Sequence, residues 1–215
     1  MSLAQDLNTL LKPSPCMVEV KVFNRWSVDG ISVQDPGLKE YISLTPRFVP
    51  RTGARYAKNR FYKSRAFIIE RLMNKLMIPG HRSKKHKITS YHCTGKAHTV
   101  YNIMEETLEL IEKKTKQNPI AVVVKAVENA AAREGIISIE YGGARYPRAV
   151  ECAPQRRVDL ALRYIAQGAY SKSFNSKRGI ASTLAEELIN AFNQNPASNA
   201  IAKKLEVERQ SDASR

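Results

Sequence analysis

The chain has 215 residues, 43% hydrophobic and 26% charged, the proportions of a globular protein with a core and not of a disordered chain. Its 35 Lys and Arg against 20 Asp and Glu give a net charge of +15 at pH 7, which points to a polyanionic partner: RNA, DNA or an anionic membrane. The longest clear apolar run, Ile120 to Val124, is far too short for a bilayer, the start MSLAQDLN has no basic region leading into an apolar core, and Cys16, Cys93 and Cys152 are odd in number and far apart, which argues against a disulfide scaffold and suits a reducing cytosol.

Residues 1–46 read as an amino-terminal extension. VEVKVF alternates Val18, Val20 and Val22 with Glu19, Lys21 and Phe23, the period of a short strand. Asp35-Pro36-Gly37 marks a turn. Residues 47–65 follow with prolines, a glycine and closely spaced cations, the composition of an arm that stays extended or irregular until bound.

A helical body is expected over 66–205. The helical pattern sets in from Ser64, places Ile69, Leu72, Met73 and Leu76 on one face, and stops near Pro79-Gly80. HRSKKHKITSYHCTGK reads as a basic loop. Val100, Ile103, Met104, Leu108 and Ile111 form a second helical stripe. Asn118 is placed as a cap and Pro119 as the first residue of a third helix, which carries Val123, Val124 and Val127 and ends by Gly135.

Beta-branched and aromatic residues around Gly142-Gly143 predict a two-strand hairpin over 136–152. Pro147 is tolerated there because a lone hairpin has two outer edges. Such a hairpin is marginal alone, so it projects from the body or leans on it. A fourth helix starts at Pro154 and lines up Val158, Ala161, Leu162, Ile165 and Ala169. A fifth carries Ile180, Leu184, Leu188 and Phe192, and a last piece after Pro196 carries Ile201 and Leu205. Residues 206–215 read as a carboxyl tail. The fold class is mainly α: a bundle of about six helices with an inserted β-hairpin and an extended basic amino-terminal arm.

The charge is concentrated. From Arg47 to Lys96 there are fourteen basic residues and one acid, Glu70. Like charges so crowded repel, and an external polyanion relieves the repulsion. Arg47, Arg51, Arg55, Lys58, Arg60, Lys63 and Arg65 are interleaved with Phe48, Tyr56, Phe61 and Tyr62. Cations follow phosphates, and aromatic rings stack on unpaired bases. The bland alternative is a solvated surface whose aromatics pack on the body; one acid in the whole segment favours nucleic acid. The hairpin continues the theme with Tyr141, Arg145, Tyr146 and Arg148 around Gly142 and Gly143. A turn with tyrosines covering apolar surface explains the glycines equally well.

Arg156 and Arg157 fall in the first turn of the fourth helix. Cations are disfavoured there by roughly 0.3–1 kcal/mol each. A phosphate held by the free N–H groups of that helix end would make both sensible; pairing with Glu151 or Asp159 is the local alternative.

His81, His86, His92, Cys93 and His98 lack paired CxxC or HExxH spacing, so no metal is expected. Thr94-Gly95-Lys96 is a fragment of a phosphate-loop pattern without its other residues. No nucleophile–base or paired-carboxylate arrangement stands out, so the chain reads as a non-enzyme without cofactor.

Five segments in order, GARYAKNRFYKSRAFIIERLMNKLM, TGKAHTVYNIMEETLELI, NPIAVVVKAVENAA, GGARYPRAVECAPQRRVDLALRYI and LAEELINAF, resemble the universal small-subunit ribosomal protein seven family over most of residues 51–205. The Gly-Gly hairpin joined to P-x-R-R-x-x-x-A-x-R is the specific element. The amino-terminal extension and the long basic loop before Thr94 resemble the archaeal and eukaryotic branch, whereas KKLEVERQSDASR matches loosely.

The resemblance implies a largely helical structural constituent of the small ribosomal subunit, cytoplasmic and without catalytic role. It implies binding to rRNA of the head domain, support of head assembly, and a place near the exit-site tRNA and the mRNA exit path. Head and platform proteins would be neighbours, and no membrane is implied. Carried onto this chain, the arm from Arg51 to Arg65, with Arg82, Lys84, Lys85, Lys87 and Lys96, grips rRNA. Tyr141 to Arg148 reaches the tRNA or mRNA side, and Arg156 and Arg157 contact rRNA at a helix start. Two rivals come from the residues alone: a non-ribosomal helical nucleic-acid binder, and a zinc enzyme built on the His/Cys loop.

Overall fold

A computed structural model describes residues 20–79 and 96–215, with backbone alone at 81–82 and 85–86 between them. After a short 3-10 turn at Tyr62–Arg65, the elements in chain order are α1 (Ile68–Leu76), β1 (His81–Arg82), β2 (Lys85–His86), α2 (Ala97–Thr115), α3 (Pro119–Ala130), β3 (Glu134–Tyr141), β4 (Ala144–Glu151), α4 (Pro154–Ser173), α5 (Ile180–Phe192) and α6 (Asn199–Asp212). No helix among the described residues is long and apolar enough to cross a membrane.

The first helix begins later than its pattern suggests. Phe67 is extended and fully buried, and it forms a parallel bridge with Ser43. The Ile68 amide donates to the Ser43 carbonyl at 3.1 Å, so the amino-terminal segment holds Ala66 and Phe67 extended between the 3-10 turn and the helix. From there Ile69, Leu72, Met73 and Leu76 turn inward at helical spacing.

The second and third helices start and stop where local chemistry directs. α2 ends on Lys116 in the left-handed region (φ +55°), its amide donating to the Glu112 carbonyl at 2.8 Å. Asn118 Oδ1 accepts the Ile120 amide at 3.0 Å, and Pro119 follows as the first residue of α3. The same Asn118 donates through Nδ2 to the Ser27 carbonyl at 2.8 Å, tying the cap to the amino-terminal segment. α3 is buried along most of its length, as its run of valines requires, and packs against α5 and α2.

α3 stops at Ala130, within the limit set by Gly135. Gly135 already lies in β3, where an added Cβ would come within 2.9 Å of Cys152 Sγ on the returning chain. β3 and β4 pair antiparallel from Glu134↔Glu151 to Tyr141↔Ala144. Gly142 and Gly143 have φ of +57° and +81°, the two positive angles of a primed turn that matches strand twist.

The last helices are joined by a buried carboxylate. Glu187 of α5 has no exposed surface; it accepts from Lys172 Nζ (2.7 Å), Ser198 Oγ (2.8 Å) and the Ala200 amide (3.2 Å). It thereby caps the amino end of α6 in place of that helix's own side chains. Gly168 of α4 makes room, since a Cβ there would meet Glu187 Oε1 at 2.9 Å and Asn199 Cβ at 2.8 Å. The tail boundary expected at 206 falls inside α6. Beyond that helix, the Ser214 carbonyl accepts from Ala149 at 3.4 Å and Arg215 pairs with Glu134, so the chain end braces the hairpin.

Residues 20–46 belong to the same core. Val22, Phe23, Trp26, Leu38 and Ile42 are buried with the helix residues in one cluster. Trp26 Nε1 donates to Glu112 Oε2 at 3.1 Å, and the Gln34 amide to Glu128 Oε1 at 2.6 Å. The strand expected at 18–23 is not formed over its described part. Val22 only bridges to Trp26 across a turn in which Phe23 and Asn24 have φ of +53° and +57°. A strand would send Val22 and Phe23 to opposite faces, whereas the core takes both. The expected Pro36-Gly37 turn forms, with the Gly37 amide donating to Asp35 Oδ1 at 2.9 Å.

A candidate nucleic-acid interface

The basic arm is a chain of turns laid against α1, and most of its cations face outward. Arg51, Arg55, Lys58, Arg60 and Arg65 are exposed, as is Lys96 at the head of α2. Three arginines lie over arm aromatics: Arg65 4.5 Å from the Tyr62 centroid, Arg60 5.7 Å from Phe61 and Arg47 5.8 Å from Tyr56. Arg47 also donates through Nη2 to the Tyr56 hydroxyl at 2.9 Å. Among the described residues, no carboxylate forms a salt bridge with any of Arg47, Arg51, Arg55, Lys58, Arg60 or Arg65.

Lys63 differs from its neighbours. It forms an ion pair with Asp159 of α4, which also accepts from Arg71 Nη2 at 3.0 Å. Arg71 is buried and donates through Nη1 to the Tyr41 carbonyl at 2.7 Å. Asp159 therefore pins the arm, α1 and, through Arg71, the amino-terminal segment. Burial alone would raise its pKa, but the hydrogen bonds from Lys63 and Arg71 and their charges hold the carboxyl below the usual range.

Arg156 and Arg157 are separated by the helix turn. Arg156 is exposed. Arg157 is tucked in with 12% of its side chain exposed, and its Nη2 donates to Asp35 Oδ2 at 2.8 Å. Its partner is thus neither Glu151 nor Asp159 but a residue 122 positions away. Burial pushes the Asp35 pKa up; the Arg157 hydrogen bond, the Gly37 amide and the charges of Arg157 and Arg133 outweigh it and leave the carboxyl low.

The hairpin carries Tyr141 and Tyr146 exposed at 81% and 58%. Arg145 and Arg148 are exposed too, with Arg145 in a loose 3.7 Å pair with Glu140. Cross-strand partners share a face, so Ile137, Ile139 and Tyr141 lie with Arg148, Tyr146 and Ala144. Ile137, Ile139 and Val150 remain exposed on that side, while Ile136 and Ala149 on the other are half-buried beside α6. Alternation in sequence identifies the two faces but not which one is covered.

Two further cations join the arm region from elements far apart in sequence. Lys75 of α1 and Arg163 of α4 line one open cavity of about 510 Å³. Burial lowers the Lys75 pKa; Asp159 opposes that, and Arg163, Lys63 and Arg71 add to it. Nothing local in the sequence signals this crowding.

Of the expected loop cations, Lys84 and Lys87 lie outside the described residues. Arg82 and Lys85 face each other in the short β1–β2 ladder, as do His81 and His86, so part of the segment read as loop is paired backbone. Cys16, His92, Cys93, Thr94 and Gly95 also lie outside the described residues. No group of three or more His, Cys, Asp or Glu that could hold a metal occurs among the described ones.

Comparison with known proteins agrees with this architecture. The family model for ribosomal protein S7p/S5e matches residues 38–215. The chain is 52% identical over 198 residues to the small ribosomal subunit protein uS7 of Nanoarchaeum equitans, covering 92% of this chain and 100% of that protein. It is 45% identical over 197 residues to the protein of the same name from Archaeoglobus fulgidus, covering 92% of this chain and 96% of the relative. With the ordered helices and the Gly-Gly hairpin in place, the chain belongs to the ribosomal protein S7p/S5e family.

Proposed function

We propose that the chain is a structural constituent of the small ribosomal subunit, located in the cytoplasm, that binds head-domain rRNA and supports assembly of the head. The observation that carries this reading is the arm, whose exposed cations, apart from Lys63, have no salt-bridge partner among the described residues and alternate with aromatic rings. Arg51, Arg55, Lys58, Arg60, Arg65 and Lys96 would take phosphates, and Phe61 and Tyr62 would meet unpaired bases. Arg156 extends the grip at the start of α4. Arg82, Lys84, Lys85 and Lys87 add to it from the segment before α2.

Arg157 and Lys63 act differently in this scheme. They hold the amino-terminal segment and the arm against α4, which sets the spacing of the phosphate-binding cations. The exposed face of the hairpin, with Tyr141, Tyr146 and Arg148, is assigned to the exit-site tRNA and mRNA path. Its Ile137 and Ile139 also suit a neighbouring head or platform protein. The chemistry required is electrostatic and steric, with no catalytic step.

The test is equilibrium binding to a transcript of head-domain rRNA between about 50 and 200 mM salt. With about 6–10 phosphates covered, affinity should fall by about 10³–10⁵ over that range. Equal affinity for an unrelated duplex at physiological salt would favour a general nucleic-acid binder instead.

A further inference from the structure

Beneath the arm lies a cavity of about 600 Å³, floored by α1, with the Thr52-Gly53-Ala54 turn on one side and the start of α2 on the other. Its exposed lining is mainly apolar, with Val49, Met73, Met77, Tyr56 and Tyr101 on its walls. Those walls are fixed from behind. Glu70 Oε1 accepts the Thr52 amide at 2.8 Å and ties the turn to α1. Arg47 donates to the Tyr56 hydroxyl at 2.9 Å. Apolar surface gathered around a preformed space marks a place where another group packs.

One stretch of this chain outside the described residues suits that surface. Its opening sequence, MSLAQDLNTLL, puts Leu3, Leu7, Leu10 and Leu11 at the spacing of one helical face. The pattern ends before Pro13 and Pro15. A helix so short is marginal in water and takes its stability from packing its apolar face. The described chain starts at Val20. Three residues later Phe23 packs on Tyr101, a ring of the cavity wall, at 4.7 Å between centroids. Residues 12–19, between the leucines and Val20, span at most about 28 Å, so the stripe starts close to the space it would fill.

We infer that the cavity beneath the arm is the docking site of the chain's own first eleven residues, with the leucine stripe against Met73, Met77 and Tyr101. Tethering favours this occupant: a short linker gives an effective concentration of about millimolar, which a separate partner would have to match. Charge agrees. Arg51 and Lys63 border the cavity, and the segment brings one acid, Asp6, and no lysine or arginine to a region already crowded with cations. Arg55, Lys58, Arg60 and Arg65 are not in the lining, so docking leaves them free to meet phosphates. The inference stands apart from the rRNA-binding reading above.

Photocrosslinking of the full chain tests this, with benzoylphenylalanine in place of Ala4, which flanks the leucine stripe. Irradiation of the free protein should give an intrachain adduct to the arm, α1 or the start of α2, with a yield unchanged on dilution. Leu7→Asp combined with Leu10→Asp should abolish that adduct. The same pair should raise the emission of the neutral apolar dye Nile red, because the lining is then uncovered. Met77→Glu, which puts a charge into the cavity wall, should abolish the adduct from the other side. An adduct joining two chains would assign the cavity to a second copy, and one formed only with added head-domain rRNA transcript would assign it to RNA; either result overturns the inference. So does an adduct that forms elsewhere on the chain, fails to form, or survives the paired substitutions.

Discussion

Arg157 shows how a single side chain can be basic without serving the basic surface. Its guanidinium is half of a bond between α4 and the Asp35-Pro36-Gly37 turn, with little contact with solvent. Arg156, one position earlier, is exposed. The two should therefore separate in experiment. Arg157→Ala leaves Asp35 without its partner and should destabilise the fold by about 1–3 kcal/mol, read from urea melts. Arg156→Ala should leave the melt almost unchanged and weaken rRNA binding, lowering the salt slope by about one. Equal effects of the two substitutions on stability would refute the assignment.

At the scale of elements, the arm, α1 and α4 meet on Asp159. Its two cationic partners depress its pKa, as Arg157 depresses that of Asp35. A carboxyl with a folded pKa below its unfolded value of about 3.9 contributes stability above that pH and loses it as pH falls through the folded value. Acid melts below about pH 4 should therefore show a steep loss to which Asp159 contributes. Asp159→Asn should be less stable at pH 7, because Arg71 is left buried with half its pairing, and its stability should fall less steeply in acid. Parallel acid limbs for wild type and variant would show that the pin carries no pH dependence.

Over the whole molecule, residues 20–46 are part of the bundle's core rather than an appendage to it. The single tryptophan, Trp26, is 5% exposed and bonded to Glu112 of α2. Its fluorescence should report the unfolding of the entire body, so emission and far-UV circular dichroism should trace one coincident urea transition. A tryptophan transition at lower urea would mean that the segment detaches before the helices melt.

Helix positions were legible in the sequence because they are local. Periodic apolar residues marked α1 to α5, Asn118-Pro119 and Pro154 marked two helix starts, and Gly142-Gly143 marked the hairpin turn. The overall surplus of cations was legible as well, since it is a count. Which cations are free to meet RNA was not legible. Lys63, Arg71 and Arg157 look like their neighbours in sequence and are distinguished by their carboxylate partners Asp159 and Asp35, 88 to 122 residues away. The delayed start of α1, the buried Val22-Phe23 turn and the uncovered face of the hairpin have the same origin. Each is set by what another part of the chain packs against it, and side-chain pairing across such distances leaves no periodicity to read.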